Sequence, residues 1–388
     1  MGKLLNESLL EGISNVDISP TMFEEATGHY QAIAKLFEEN GLNADFYPQG
    51  SFSTGTVVRP YNAKDEDTFY DLDMVCLVKD VEKHETTPDE LMGRVTGVLL
   101  NHGTYKDKCR LYPQCVTIEY ARNESRPGFN LDIVVGVRPS GCDGLVYALR
   151  GIDERWACQD LSLAKVDPAS WMGSNPHALT DWFHEKNRPF SEYNREARLK
   201  ALVKSSKGAY ATIEQVPDSM DRSSLQRAIQ IAKRARDIYY SHVADDIRRP
   251  ESCMLLSMLA THAEKMPEDS SAIDILRSFC SVMHDAGILA DVGTDCLVMR
   301  SGKPYVGNPV FPENYLDGWT KDDLSRMFGW LSLLGEDLAV DTSDSHRFAA
   351  AVQRMLGSKT SQLLSGIPAV SATIPSVAKV KPWGLLVD

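Results

Sequence analysis

Three acidic residues in strand-like surroundings are the strongest candidates for chemistry in this chain. Asp71 and Asp73 stand two residues apart in the run YDLDMV, and Asp132 lies in the run FNLDIVV. Because alternate side chains of a strand point to one face, Asp71 and Asp73 project together, with α-carbons about 6–7 Å apart. Crowded carboxylates raise one another's pKa unless divalent cations neutralise them. Mg²⁺ suits such ligands, and two ions about 3.5–4 Å apart can assist phosphoryl-type transfer.

A glycine–serine turn that precedes the paired acids is a candidate phosphate-binding element. Gly50 lets the backbone approach a phosphate closely, and the Ser51 hydroxyl and nearby N–H groups can donate hydrogen bonds to its oxygens. Each piece alone is common, since paired acids on a strand are more often solvated and a Gly-Ser pair is ordinary turn chemistry. The order of the turn, the paired acids and a later strand acid is much more specific. It predicts metal-dependent nucleotidyl transfer.

Short strands and helices must position these residues in the amino-terminal half of the chain. Ser19 and Pro20 predict a helix start, and apolar residues follow at helical spacing until Gly41. The predicted strands cover residues 45–47, 56–58, 70–78, 116–120 and 129–137, with a helix over residues 88–100. This half is therefore predicted to be α+β.

From about residue 175 the pattern changes to helices. Predicted helices cover residues 224–240, 252–264, 271–283, 321–334 and 345–356. Residues 138–172 show no clear period and are predicted to be a connection. These patterns divide the chain into a catalytic lobe with an amino-terminal helix over residues 1–174, a helical lobe over residues 175–364 and an extended tail over residues 365–388.

Composition excludes several classes of protein. The 388 residues, 43% hydrophobic and 24% charged, are typical of a globular chain of two to three domains. A net charge of −13 disfavours long nucleic acid and anionic membranes as partners. The eight cysteines form no CxxC pair and are predicted to be reduced. We find no signal peptide and no run of eighteen apolar residues, so we expect no membrane span and a cytoplasmic location.

The motifs resemble those of the DNA polymerase β-like nucleotidyltransferases. They are more closely similar to those of the bacterial cGAS/DncV-like enzymes, or CD-NTases, which make cyclic oligonucleotide second messengers. The blocks that carry the resemblance span roughly residues 20 to 330 and comprise Gln49–Phe52, Gly55–Pro60, Tyr70–Asp73, the Asp132 strand, Leu225–Asp237, Arg249–Ser252, Asn308–Val310, Glu313–Asn314 and Trp319. The resemblance implies a bilobal α+β fold with a mixed-sheet catalytic lobe and a mainly helical lobe.

The same resemblance implies a role for each acid. Asp71 and Asp73 would hold two Mg²⁺ ions, and Asp132 would bind the catalytic ion beside an acceptor ribose hydroxyl. That hydroxyl would attack the α-phosphate of a second ribonucleoside triphosphate, ATP or GTP among others, and release pyrophosphate. An intramolecular repeat would close a cyclic di- or trinucleotide, which the family uses in antiphage signalling (CBASS).

Phosphate contacts are implied on both sides of the cleft. Gln49 and Ser51, beside Gly50, would engage the donor triphosphate. Lys233 and Ser252 of the helical lobe would reach its outer phosphates, a task that suits a mobile lysine charge. Alternatively, Lys233 is an exposed helix cation and Ser252 an N-cap of its own helix.

Two other functions stay open at the level of sequence. One is transfer of a nucleotide to a protein, an RNA end or a small molecule, and the other is a catalytically silent nucleotide-binding scaffold. No Cys/His cluster has zinc-ligand spacing, so the DNA-activated animal relatives are not matched. The tail is a candidate site for a regulatory protein partner, although Asp388 is not the small terminal residue expected for conjugation. Base choice, linkage and ring size are not determined by these patterns.

Overall fold

The structure is a computed structural model that describes residues 2–59, 61, 70–120, 128–141, 143–205, 220–243, 247–288, 294–300 and 303–365. The first half contains α1 (Gly2–Ser14), α2 (Pro20–Glu39), β1 (Ala44–Gln49), α3 (Gly50–Ser53), β2 (Tyr70–Val78), α4 (Pro88–Asn101), β3 (Cys109–Leu111), β4 (Val116–Tyr120), β5 (Phe129–Val137), α5 (Gly144–Arg150), β6 (Leu161–Lys165) and β7 (Ser170–Ser174). The second half contains α6 (Pro176–Ser205), α7 (Ser224–Tyr240), α8 (Ser252–Ala263), α9 (Ala272–Ile288), β8 (Val298–Arg300), β9 (Lys303–Tyr305), α10 (Lys321–Leu338), α11 (Ser345–Leu356) and α12 (Ser358–Ser365). Short 3₁₀ turns occur at Lys83–Glu85 and Glu154–Gln159.

A mixed sheet forms the first lobe. Its strand order is β1-β2-β5-β4-β3, with β6 added to β5 and β7 added to β6. Strands β2 and β5 run parallel and the other pairs are antiparallel. The parallel register sets Asp73 directly beside Asp132.

Alternation of side chains explains why the acids share one face of this sheet. On β2, Leu72 and Met74 are buried against α2 and α4, whereas Asp71 and Asp73 point to the opposite face. Farther along β2 that opposite face is covered by a small apolar cluster made of Val75, Leu77, Leu161 and Leu163. The cluster ends before the acids, which leaves them at an open edge of the lobe.

The second lobe is built around α7. This helix contacts α1, α6, α8, α9, α10 and α11, and nearly every one of its residues is buried. Leu5, Leu9 and Ile13 of α1 join the same apolar core, so α1 lies with the helical lobe while α2 packs on the sheet. The boundary predicted at residue 174 remains a prediction. Within the described residues, no helix is both long enough and apolar enough to cross a membrane.

Local sequence patterns predicted the bounds of several main strands and helices, but they gave no range for α1, α3, α5, α6 or α12. The predicted bounds of β2, β4, β5, α7 and α11 coincide with those of the structure. The predicted α+β class with a helical second lobe is confirmed. Helix α9 starts one residue later than predicted because Ser271 caps it, accepting a hydrogen bond from the Asp274 N–H at 3.2 Å, and it continues to Ile288.

Two predictions of local structure were wrong. Residues 56–58 form no strand, because side chains of α7 rather than a neighbouring strand bind their backbone carbonyls. Residues 138–172 are more than a connection: they contain α5, β6 and most of β7, and β6 pairs with β5 beyond the point where β4 begins. Residues 366–388, which make up nearly all of the predicted tail, lie outside the described residues.

A buried ion-pair cluster joins the two lobes where the chain passes from α1 to α2. Asp17 accepts hydrogen bonds from Arg222 Nε at 3.2 Å and from an Arg227 amino group at 2.8 Å, and its side chain is only 6% exposed. We expect Asp17→Asn to lower the free energy of unfolding by about 3 kcal/mol, because it leaves buried guanidinium charges without their carboxylate.

Urea unfolding followed by circular dichroism measures this change. Asp45→Asn is the matched control, since Asp45 pairs with Lys79 at an exposed position and its loss should cost less than about 1 kcal/mol. Equal losses for the two variants would contradict the assignment of a stabilising role to the Asp17 cluster.

Candidate active site

A cavity of about 680 Å³ lies between the sheet and the helical lobe. Its size is in the range of small-molecule sites. The residues that line it include every site residue predicted from the sequence: Gln49, Gly50, Ser51, Asp71, Asp73, Asp132, Lys233 and Ser252. The fold therefore brings together residues that are up to about 200 positions apart in the chain.

The three acids occupy the sheet wall of this cavity. Asp73 and Asp132 lie side by side on parallel strands, whose spacing is about 4.8 Å. The Thr117 hydroxyl donates a hydrogen bond to Asp132 Oδ1 at 2.5 Å, and the Asn130 amide donates to Asp71 Oδ1 at 3.4 Å. These neutral donors orient two of the carboxylates but supply no positive charge.

Crowding and partial burial make these carboxyl groups weaker acids than usual. Burial, the negative charge of Asp132 and that of Asp71 raise the pKa of Asp73 to about 7, although Lys233 opposes the shift. Burial followed by the charge of Asp132 also raises the pKa of Asp71. The pKa of Asp132 is raised by burial and lowered in part by the Thr117 hydrogen bond. The cluster therefore favours bound protons or bound cations over three bare charges.

The donor set fits divalent metal ions. Carboxylate oxygens are hard ligands of the kind that Mg²⁺ prefers, and the charge that raises their pKa is the charge that a cation relieves. As the side chains stand, no three His, Cys, Asp or Glu residues among those described are close enough to hold one ion together. The fit therefore rests on the chemistry and shared face of the acids.

The Gly50 turn packs closely against Asp73. Gln49 ends β1 directly opposite Asp73, and Gly50 follows with φ +64°, in the left-handed region that favours glycine. A Cβ at Gly50 would lie 2.6 Å from Asp73 Oδ2, so a larger residue would collide with the carboxylate. Ser51 follows in the short helix α3, beside the acids in the same cavity.

Lys233 and Ser252 occupy the opposite wall. Lys233 is 6% exposed, and its Nζ donates to the Thr56 carbonyl at 3.0 Å, so the alternative of an exposed helix cation is wrong. Burial, followed by the charge of Arg236, lowers the pKa of Lys233 to about 8. Ser252 is the first residue of α8 rather than its N-cap, which is Glu251, and its hydroxyl accepts a hydrogen bond from Arg236 at 3.2 Å.

Sequence reasoning gave no role to several residues that share the cavity. The positive wall also includes Arg236, which is buried against Asp237, and the exposed Arg249. Glu313 and Tyr315 line the cavity as well. The sequence blocks around Arg249 and Glu313 carried the family resemblance, which was the only signal for them, whereas nothing in the local pattern marked Tyr315.

Comparison with known proteins shows which family the sheet lobe of this chain resembles. Residues 44–135, which include β1, the Gly50 turn, β2 and most of β5, match the sequence profile of the family described as "Cyclic GMP-AMP synthase DncV-like, nucleotidyltransferase domain". These residues are therefore similar to the nucleotidyltransferase domain of the DncV-like enzymes. The chain is also 25% identical over 332 residues to a c-di-GMP synthase of Roseivirga ehrenbergii, and this match covers 84% of the chain and 76% of the relative.

Solved structures of two bacterial proteins share the fold over at least 91% of this chain. CdnG of Bradyrhizobium diazoefficiens, solved with GTP, has a TM-score of 0.66 at 21% identity and covers 93% of this chain and 98% of its own. CdnC of E. coli MS115-1 has a TM-score of 0.59 with ATP and 0.60 in a complex with HORMA-deltaN, at 14% and 13% identity. Coverage is 92% of this chain and 98% of CdnC in the first case, and 91% and 97% in the second. The predicted bilobal α+β architecture is thereby confirmed.

Proposed function

We propose that this nucleotidyltransferase joins ribonucleoside triphosphates into a cyclic di- or trinucleotide and releases pyrophosphate. The observation that carries the proposal is the single cavity in which the Asp71, Asp73 and Asp132 carboxylates face Lys233 across the two lobes. Acids suited to metal ions on one wall and a cation on the other match a metal-bound triphosphate. The names and bound nucleotides of the relatives, c-di-GMP synthase, CdnG with GTP and CdnC with ATP, support the same reaction class.

Each residue of the site would have its own role in one transfer step. A ribose hydroxyl of the acceptor nucleotide forms a bond to the α-phosphorus of the donor, the bond to pyrophosphate breaks, and the hydroxyl proton is released. Asp71, Asp73 and Asp132 would hold two Mg²⁺ ions, which when bound acidify the hydroxyl and stabilise charge on the phosphate. Thr117 keeps Asp132 oriented through its 2.5 Å hydrogen bond.

Donor phosphates would lie between the Gly50 turn and α7. Gly50 allows close approach of the backbone, and the Ser51 hydroxyl and Gln49 amide offer hydrogen bonds. Lys233, protonated at neutral pH, and Ser252 would bind the outer phosphates from the other lobe. Binding across both lobes would orient the α-phosphate toward Asp132.

The acceptor nucleoside would lie on the far side of Asp132. A second cavity of about 540 Å³ adjoins the first there, and Asp132 lines both. Attack in line with the leaving pyrophosphate requires the acceptor to approach from the side opposite the outer phosphates. Tyr112 and Gln114 of the β3–β4 turn and Lys165 of β6 line this second cavity and could contact the acceptor base.

The same proposal includes closure of the ring and a biological role for the product. A second transfer within the linear product would close the ring, and the product would act as a messenger in antiphage defence. A protein partner is supported by the complex of the relative CdnC with HORMA-deltaN. The cytoplasmic location and the role of the tail in partner binding remain predictions.

Product analysis from purified full-length protein tests the proposal. The protein is incubated with Mg²⁺ and the four ribonucleoside triphosphates, singly and in pairs, and products are identified by mass spectrometry. A cyclic di- or trinucleotide formed with no added acceptor is the expected result. Nucleotide attached to protein or RNA would instead support the alternative enzymatic function, and absence of pyrophosphate release with retained nucleotide binding would support a silent scaffold.

The Mg²⁺ concentration needed for activity should rise as pH falls. Because the pKa of Asp73 is raised to about 7, a proton competes with the cation below that pH. We expect the Mg²⁺ concentration for half-maximal activity to rise as pH falls from 8 to 6, by up to about tenfold per unit below pH 7. Magnesium titrations of pyrophosphate release at fixed nucleotide concentration measure it, and a half-maximal concentration that is constant with pH would contradict the prediction.

A further inference from the structure

One face of α7 binds the backbone that follows the Gly50 turn. Residues 54 and 55 form a turn and residues 56–59 pair with no strand, so their carbonyls need other donors. Four buried side chains, spaced at helical intervals along α7, supply them. The hydrogen bonds run from Gln226 Nε2 to Thr54 O at 2.8 Å, from Gln230 Nε2 to Val57 O at 2.6 Å, from Lys233 Nζ to Thr56 O at 3.0 Å and from an Arg234 amino group to Arg59 O at 2.9 Å.

Three of these four residues do not line the cavity, and two of the three are the neutral glutamines Gln226 and Gln230. Gln226 is 7% exposed and Gln230 is completely buried, and neither lines the cavity. The orientation of the Gln230 amide is defined, because its oxygen accepts a hydrogen bond from Arg227 at 2.8 Å while its nitrogen donates to Val57. These glutamines can therefore affect a bound nucleotide only indirectly, and the segment they hold is a connection that reaches the cavity.

That segment is continuous with the residues that face the phosphates. The Thr54 hydroxyl donates to the Gly50 carbonyl at 3.0 Å, and the Thr56 N–H donates to the Ser51 carbonyl at 2.9 Å. Thr54 and Thr56 also line the cavity themselves. A shift of the segment would therefore move the Gly50 turn relative to α7.

We propose that Gln226 and Gln230 are positioning residues that set the distance between the Gly50 turn and the α7 wall of the cleft. The inference rests on the proposed function, because it assumes that a triphosphate spans these two walls. The neutral amides suit this role, since they bind backbone carbonyls without adding charge beside the phosphates. Their function is separate from that of Lys233, which lines the cavity.

The test replaces each glutamine by methionine, which is similar in length but donates no hydrogen bond. Gln353→Met on α11 is the matched control, because its amide is partly buried, its oxygen lacks a hydrogen-bond partner and it lines no described cavity. We expect Gln230→Met and Gln226→Met each to raise the Kd for ATP, and the KM, about tenfold, with kcat changed less. Isothermal titration and steady-state kinetics are run well below the Tm of every variant.

The outcomes separate this inference from the proposed function. If both variants are folded and their Kd and KM values remain within about twofold of those of Gln353→Met, the positioning role is overturned. If one variant fails to fold, the other decides the question. A wild-type protein that binds ATP but makes no nucleotide product would contradict the proposed function alone, because the Kd comparison would still report on the glutamines.

Discussion

Replacing Asp73 by asparagine is expected to lower pyrophosphate release by roughly 10³–10⁴-fold. Asp73 lies beside Asp132 on the parallel strand pair, and the Gly50 backbone stands against its carboxylate. Asparagine keeps the shape of the side chain but removes the charge that a metal ion would neutralise. The measurement is pyrophosphate release with saturating Mg²⁺ and nucleotide.

The same variant should be more stable than the wild type when metal is absent. The pKa of Asp73 is raised to about 7 in the folded chain, above its value of 3.8 in an unfolded one. The folded state therefore holds the proton more tightly, and stability falls as pH rises from about 4 to 7. We expect Asp73→Asn to raise the Tm in EDTA by a few degrees at pH 8 and by less at pH 5.5.

Asp45→Asn provides the control for both measurements, since it makes the same chemical change at an exposed position of β1 in the same sheet. It should keep activity within about twofold, as surface substitutions usually do. An Asp73→Asn protein that is folded and retains activity within tenfold of the wild type would remove the assignment of the acids to metal binding.

Lys233→Met is expected to lower kcat/KM about 100-fold, mainly through a higher KM for the triphosphate. Lys233 is the buried cation that faces Asp73 across the cavity, and methionine keeps its length without its charge. Loss of a charged hydrogen bond to phosphate accounts for about 1.5–3 kcal/mol, which is the size of this change. Steady-state kinetics with ATP and with GTP measure it.

The dependence of kcat/KM on pH is a more specific test of the role of Lys233. Burial lowers its pKa to about 8, so the ammonium is present at pH 7 and is lost as pH rises above 8. Because kcat/KM reports the ionisation of the free enzyme, it should fall about tenfold per unit above pH 8 in the wild type. This decline should be absent in Lys233→Met and present in the control Lys35→Met, which alters an exposed lysine of α2. A decline that persists in Lys233→Met would assign it to another group.

Local sequence patterns were enough to predict several of the strands and helices. The alternation of apolar and polar residues in 70–78 and 129–137 reflects one buried face and one open face, and both strands have the predicted bounds. The capped amphipathic helix α11 was equally predictable. By contrast, residues 56–58 had the composition of a strand but found their hydrogen-bond partners on a helix, which no local pattern reveals.

Part of the candidate site could likewise be predicted from local spacing, whereas the rest depends on the packing of distant segments. Asp71 and Asp73 share a face because of their spacing alone, which is a property of any strand. That Asp132 stands directly beside Asp73 depends on the parallel register of two strands separated by about fifty residues of chain. The contribution of Arg249 and Tyr315 to the cavity depends on how α8 and the loop before α10 pack against the sheet lobe.

Residue types and their spacing were enough to predict the chemistry of the candidate site: which residues are acids, which turn suits a phosphate and which helix bears the cation. The packing of distant segments decides that Lys233 is buried, that side chains of its helix bind the backbone after the Gly50 turn, and that burial and the charge of Asp132 raise the pKa of Asp71 and Asp73. The physical reason is that burial and charge coupling depend on distances between side chains that come from remote parts of the chain. Spacing along a single strand or helix constrains only near neighbours.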